Sequence, residues 1–132
     1  MLKKIINPWR NNPQYHCFGC CLDNPIELHM EFYEDGDYIM STWHPNTHYQ
    51  GWVNTMHGGI LSTLIDEVCG WVVTRKLQTS GYTVQLNVKF RKAVPTTEPE
   101  LAIPAIGLLT FLCCAVTTKL LSLIPGSKYV IG

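Results

Sequence analysis

The stretch His57-Gly58-Gly59-Ile60-Leu61-Ser62-Thr63-Leu64-Ile65-Asp66-Glu67-Val68-Cys69-Gly70-Trp71-Val72-Val73-Thr74-Arg75-Lys76 decides the fold. At ~100° per residue, Ile60, Leu61, Leu64, Ile65, Val68, Trp71 and Val72 fall within an arc of about 140°, the apolar stripe of a helix packed on a core. Arg75 and Lys76 suit the negative end of its dipole, and Gly81 follows in the exit turn. Two glycines at the helix start leave backbone N–H groups without side-chain cover. With the dipole, those groups make a site for a carbonyl oxygen that gains negative charge, which suits acyl chemistry; the plain alternative is a pair that only permits a tight turn.

Asp66 lies almost opposite the stripe, in the company of Ser62, Cys69, Gly70 and Val73. A solvated helix back normally carries Lys, Glu or Arg, so this small, uncharged lining predicts that something packs over Asp66. The alternative is a surface Asp beside a surface Glu67. Gly59 and Asp66 are seven residues apart, or ~10 Å along a helix. One copy therefore cannot bring both to within ~3 Å of the same reacting atom. A two-fold dimer can, by setting the helix start of one subunit beside the Asp of the other.

On either side of the helix the period changes to two. Ile26, Leu28, Met30 and Phe32 alternate with Glu27, His29 and Glu31, which predicts a strand over 26–32. A turn at Glu34-Asp-Gly-Asp and a second strand, Tyr38 to Trp43, complete a hairpin. The loop from His44 to Met56 is long enough to be functional. Tyr82 to Val94 reads as a strand with Val84, Leu86, Val88 and Phe90 on one face. Val94 to Glu100 is a linker, Gly107 and Pro125-Gly126 bound a strand pair in the tail, and Tyr129 to Ile131 is a last short strand. The order predicts one α+β domain over residues 1–132, a helix against an antiparallel sheet. Residues 1–24, rich in Pro, Asn, Gly and Cys, form an irregular arm pinned by Trp9, Tyr15 and Phe18.

Composition narrows the function. Ten basic and ten acidic residues make up only 15% of the 132, which excludes a charged disordered tail and gives no nucleic-acid footprint. Neutrality carries a solubility cost and hints at an oligomer. No signal region opens the chain, and six unpatterned cysteines point to reduced thiols in the cytoplasm. His16-Cys17-x-x-Cys20-Cys21 has no second pair at metal-ligand spacing, because Cys113-Cys114 are adjacent, so neither a metal nor a cofactor is expected. His44 and His48 have no evident partner, and a Ser-His-Asp triad or phosphate loop is absent. Leu101 to Thr118 is uncharged over eighteen residues and raises a membrane helix, but Pro104 and Gly107 interrupt it and its content suits two buried strands, so no membrane is expected.

Cys17-Phe-Gly-Cys20, Asn24-Pro25, the hairpin, Tyr49-Gln-Gly, His57-Gly-Gly, Asp66-Glu67 and the stretch Thr83 to Val94 together resemble the hotdog-fold acyl-CoA thioesterases of the phenylacetic-acid-degradation type. The resemblance covers about residues 15–95. It implies a helix wrapped by an antiparallel sheet, homodimers or dimers of dimers, and hydrolysis of acyl-CoA at the subunit interface. Carried onto this chain, it makes Asp66 the general base or nucleophile and gives the Gly58 amide, with Gly59, the thioester carbonyl. His57 starts the helix and orders the loop. Gln50 and Asn54 stand where a polar side chain positions water or the carbonyl, and Thr63 joins them against substrate. Lys89 and Arg91, with Lys92, Arg75 and Lys76, meet the phosphates of coenzyme A or simply form a solvated face. A non-catalytic acyl-thioester binding module on the same fold is the alternative. After Glu100 the alternation expected of closing strands is lost, and only Lys119 and Lys128 are charged.

Overall fold

A computed structural model describes residues 1–106. Its centre is a hairpin. Gly36, at φ 57°, lets the chain reverse in two residues, so that β2 (Glu31–Asp35) pairs antiparallel with β3 (Tyr38–Trp43) in the register Asp35 to Tyr38 through Glu31 to Thr42. Two further strands flank it. β1 (Lys3–Lys4) lies against β2, and β6 (Leu101–Ile106) lies against β3 with Trp43 opposite Leu101, giving the order β1-β2-β3-β6. Pro104 cannot donate to a ladder, and among the described residues β6 sits at the edge of this sheet, where a missing N–H is tolerated. Between the sheet strands in sequence come a 3-10 turn at Thr47–Tyr49, a small ribbon of β4 (Gln50–Trp52) and β5 (Thr55–Met56), and the helix α1 (Gly58–Leu77).

The stripe decides how α1 docks. Leu64, Val68, Trp71 and Val72 are buried against Leu28, Met30, Phe32, Ile39, Trp43 and Ala105. The Trp71 ring stacks on Phe32 with centroids 4.9 Å apart, a contact worth about 1 kcal/mol beyond the area buried. The C-terminal turn is tied to β2, where Glu34 accepts from Arg75 at 2.9 Å and from Lys76 at 2.7 Å. Gln78, at φ 52°, takes the left-handed capping position, and the Gly81 expected in the exit turn lies beyond it. One long helix packed against an antiparallel sheet is the arrangement of a hotdog fold.

Four details differ from the sequence expectation. The first hairpin strand begins at Glu31 rather than Ile26, because His29 adopts φ 55° and breaks the extended run. Leu28, Met30 and Phe32 still point inward, but Ile26 is exposed and Glu27 is buried with its Oε1 2.8 Å from His29 Nδ1. Second, the arm is irregular from Asn7 to Asn24, yet Lys3 and Lys4 already belong to the sheet. Trp9 holds the arm down, 5.9 Å from the Tyr15 ring and 6.1 Å from Trp71. Third, the loop from His44 to Met56 carries a structured ribbon.

The fourth difference concerns Tyr82 to Val94, which forms no strand. The segment runs back along α1: Gly81 beside Val73, Thr83 on Asp66, Phe90 over Gly58. Its far end rejoins the ribbon, with Met56 N–H donating to Val94 O and Thr96 N–H to Asn54 O. Val84, Leu86 and Phe90 remain exposed. In the tail, the first six residues of the uncharged run, Leu101–Ile106, are strand, and the Gly107 boundary lies outside the described residues. The expected strands beyond it, bounded by Pro125-Gly126 and at Tyr129 to Ile131, lie outside the described residues. Among the described residues no helix is long and apolar enough to cross a membrane.

Candidate functional site

The start of α1 is built around one imidazole. His57 occupies the N-cap in extended conformation, and its Nδ1 accepts from the Gly59 N–H at 2.9 Å, which fixes the ring tautomer with the proton on Nε2. Of the two glycine amides, Gly59's is therefore engaged. The Gly58 N–H has no acceptor among the described residues, and it sits where the helix dipole is most positive. A side chain at Gly58 would meet the Phe90 ring at 3.4 Å. Glycine thus keeps the floor open beneath Phe90. The cleft above it, about 330 Å³, is lined by Thr55, Gly58, Leu61, Phe90, Arg91 and Lys92 among others. An apolar ring, an unengaged amide and two cations in one concavity can receive a molecule with an apolar part, a carbonyl and an anionic group.

Asp66 lies two turns further along. Eight residues separate it from Gly58, or ~12 Å of helix. The segment 82–94 packs over it, and Thr83 Oγ1 donates to Asp66 Oδ1 at 2.6 Å. One carboxylate oxygen is thereby held and the other is left to accept a proton. Asp66 is half-buried rather than out in bulk water, so the face bare of long charged side chains is covered by a neighbouring stretch of the same chain.

The other sequence candidates scatter. Thr63 donates to the Gly59 carbonyl at 3.0 Å, a back-bond within the helix. Asn54, exposed at φ 57°, shapes the turn between β4 and β5. Gln50 opens β4 opposite Met56, on the surface. Arg91 lines the cleft together with Lys92, whereas Lys89 does not. His44 Nδ1 is engaged by the Pro99 carbonyl at 2.8 Å, away from the cleft. The structure thus brings together Gly58, Leu61, Phe90, Arg91 and Lys92, and it holds Asp66 apart with Thr83.

On the other flank of Asp66, the turn Cys17-Phe-Gly-Cys20 closes around Glu67. Cys17 Sγ lies 3.1 Å from Glu67 Oε1 and Cys20 Sγ lies 3.8 Å from Oε2. The Gly19 N–H donates to Cys17 Sγ at 3.3 Å. A hydrogen bond from Cys20 holds the Cys17 thiol down to about 5, and burial next to it pushes the Glu67 carboxyl up to about 8. The Cys20 thiol is raised by its Cys17 neighbour and by burial. Spacing within the sequence did not reveal this cluster, because its third member comes from 47 residues away on the face of α1 beside Asp66. A Glu immediately after the candidate base, on a face otherwise free of long charged side chains, was the available signal.

The family model of the thioesterase superfamily matches residues 53–102, which take in the ribbon turn, His57-Gly-Gly, the whole of α1 and the segment 82–94. Among curated proteins and among solved structures no match was found. The matched stretch is the one that carries Gly58, Asp66, Thr83 and the cleft, and it points to thioester hydrolysis in general.

Proposed function

We propose that this chain hydrolyses acyl-CoA thioesters to the free acid and coenzyme A. The observation that carries the reading is the thioesterase-superfamily match, which spans both the unengaged Gly58 amide and Asp66. In this reading the thioester carbonyl oxygen sits on the Gly58 N–H, where the helix start favours the charge that develops there. Asp66 takes a proton from water as the water oxygen attacks the carbonyl carbon. The tetrahedral intermediate then expels the sulfur, which leaves as the thiol once it regains that proton. Attack by the carboxylate itself, through an anhydride that water later opens, uses the same atoms. Thr83 acts as a positioning residue, since it fixes which carboxylate oxygen faces the water. Arg91 and Lys92 at the mouth of the cleft supply the charge that receives phosphates.

The ~12 Å between Gly58 and Asp66 calls for a second copy, with the amide of one protomer facing the carboxylate of the other. A homodimer, alone or paired into a tetramer, is accordingly part of the proposal. The test is thiol release from a panel of acyl-CoAs by the wild type and by Asp66→Asn. Turnover by the wild type that falls ~10²–10⁴-fold in the variant is the expected result. Binding without turnover in the wild type overturns hydrolysis and favours a binding module, and activity in a sample that light scattering shows to be monomeric overturns the shared site.

A further inference from the structure

The cluster on the far flank of Asp66 has no part in the hydrolysis above, and its chemistry is distinct. Cys17 Sγ, Cys20 Sγ and a Glu67 carboxylate oxygen lie within 4.8 Å of one another, half-buried between the arm and α1. All three groups ionise to anions, and none of the ion pairs among the described residues involves Glu67. A converging set of two thiols and a carboxyl without a cation lacks the partner that would offset its burial.

The spacings fit one class of partner. A tetrahedral centre with metal–sulfur bonds of ~2.3 Å and metal–oxygen bonds of ~2.0 Å sets sulfur about 3.5 Å from oxygen and the two sulfurs about 3.8 Å apart. Cys17 Sγ stands 3.1 Å from Oε1 and Cys20 Sγ 3.8 Å from Oε2, so each sulfur lies within a few tenths of an ångström of the first value from one of the two carboxylate oxygens. The surroundings are also those of a thiolate ligand. The Gly19 N–H points at Cys17 Sγ from 3.3 Å, and Tyr15 Oη lies 3.2 Å from Cys20 Sγ, so each sulfur has a polar neighbour able to support its charge. Gly19 has a steric role as well: a Cβ there would fall 2.5 Å from Glu67 Cδ, which closes the turn to the carboxylate. Cys21, next in sequence, is turned away and donates to the Tyr15 carbonyl at 2.8 Å.

We propose that Cys17, Cys20 and Glu67 form a zinc site, with water in the fourth position, which clips the N-terminal arm to α1 beside Asp66. Sulfur donors select a borderline-soft divalent ion over magnesium or calcium. The proposal stands apart from hydrolysis and does not depend on it.

The test uses the full chain, reduced, stripped with chelator and titrated with Co²⁺. One equivalent is expected to bind with thiolate-to-cobalt charge-transfer absorption in the near ultraviolet and the visible bands of a tetrahedral centre, and Zn²⁺ should displace it. Cys17→Ser and Cys20→Ser should lose the charge-transfer absorption, and Glu67→Gln should weaken binding at least about tenfold. Cys21→Ser should bind as the wild type does. The nearly isosteric Glu67→Gln keeps the question decidable if a cysteine variant fails to fold. Absence of the charge-transfer band, a band unmoved by Glu67→Gln, or a Cys17–Cys20 disulfide that persists in reductant and excludes Co²⁺ overturns the proposal.

Discussion

Gly19→Ala isolates the fit between the arm and α1. The glycine φ is not in the left-handed region, so the substitution carries no backbone strain, and its cost is purely steric. The new methyl would lie 2.5 Å from both Glu67 Cγ and Cδ and 2.9 Å from Oε2. Either Glu67 swings out and surrenders its contacts with Cys17 and Cys20, or the turn shifts and disturbs the Leu28 N–H bond to Phe18 O and the Met30 N–H bond to Gly19 O. Overpacking of this kind costs ~1–3 kcal/mol. The stiffer unfolded chain returns ~0.4–1 kcal/mol. The net loss is about 1–2 kcal/mol, or about 4–8 °C in Tm for a chain of this size. Urea and thermal unfolding in chelator, which removes any metal contribution, provide the measurement. The decisive arm is the double variant, since Glu67→Ala empties the space the methyl needs. In that background Gly19→Ala should cost less than about 0.5 kcal/mol, a coupling typical of residues in contact. A cost that is the same in both backgrounds would refute the claim that Glu67 fills the turn.

Thr83→Val removes the hydroxyl that holds Asp66 Oδ1; thiol-release assays should show kcat reduced about tenfold with KM little changed and Tm unmoved, because the residue is exposed. Glu34 is held below its ordinary carboxyl range chiefly by Lys76 and then by Arg75. Its contribution is present above the unfolded value of 4.5 and fades as pH falls through the lowered one, so Glu34→Gln should lose roughly 0.5–1 kcal/mol in urea titrations at neutral pH and nothing in acid. Iodoacetamide at pH ~6 should label Cys17 well before Cys20 in the metal-free protein, as read by peptide mass mapping; equal labelling would contradict the opposed shifts of the two thiols. Leu64→Ala, at a fully buried position, should cost about 2–5 kcal/mol by chemical denaturation.

Period and sterics explain which of these features the sequence exposed. The stripe of α1 was legible because seven apolar residues recur at one helical period, and Leu64, Val68, Trp71 and Val72 bury themselves accordingly. The hairpin turn was legible because Gly36 is needed where φ is positive. The limit of the first strand was not, since His29 takes a left-handed conformation in a run whose alternation continues undisturbed. Residues 82–94 show the same limit from the other side: alternation reports an amphipathic extended segment and is silent on whether a sheet edge is free to receive it. Here the segment lies on the helix instead.

That displacement has a consequence for the site. A strand paired within the sheet has its side chains directed by the pleat, and its residues could not follow the helix from Val73 back to Gly58. Lying on α1, the segment places Thr83 on Asp66 and Phe90 over Gly58, so one stretch of chain both holds the carboxylate and roofs the Gly58 amide. Asp66 is thus bracketed by Thr83 on one side and, through its neighbour Glu67, by the arm on the other. The sequence marked the unusual face; only the fold shows that two separate parts of the chain cover it, each with its own chemistry.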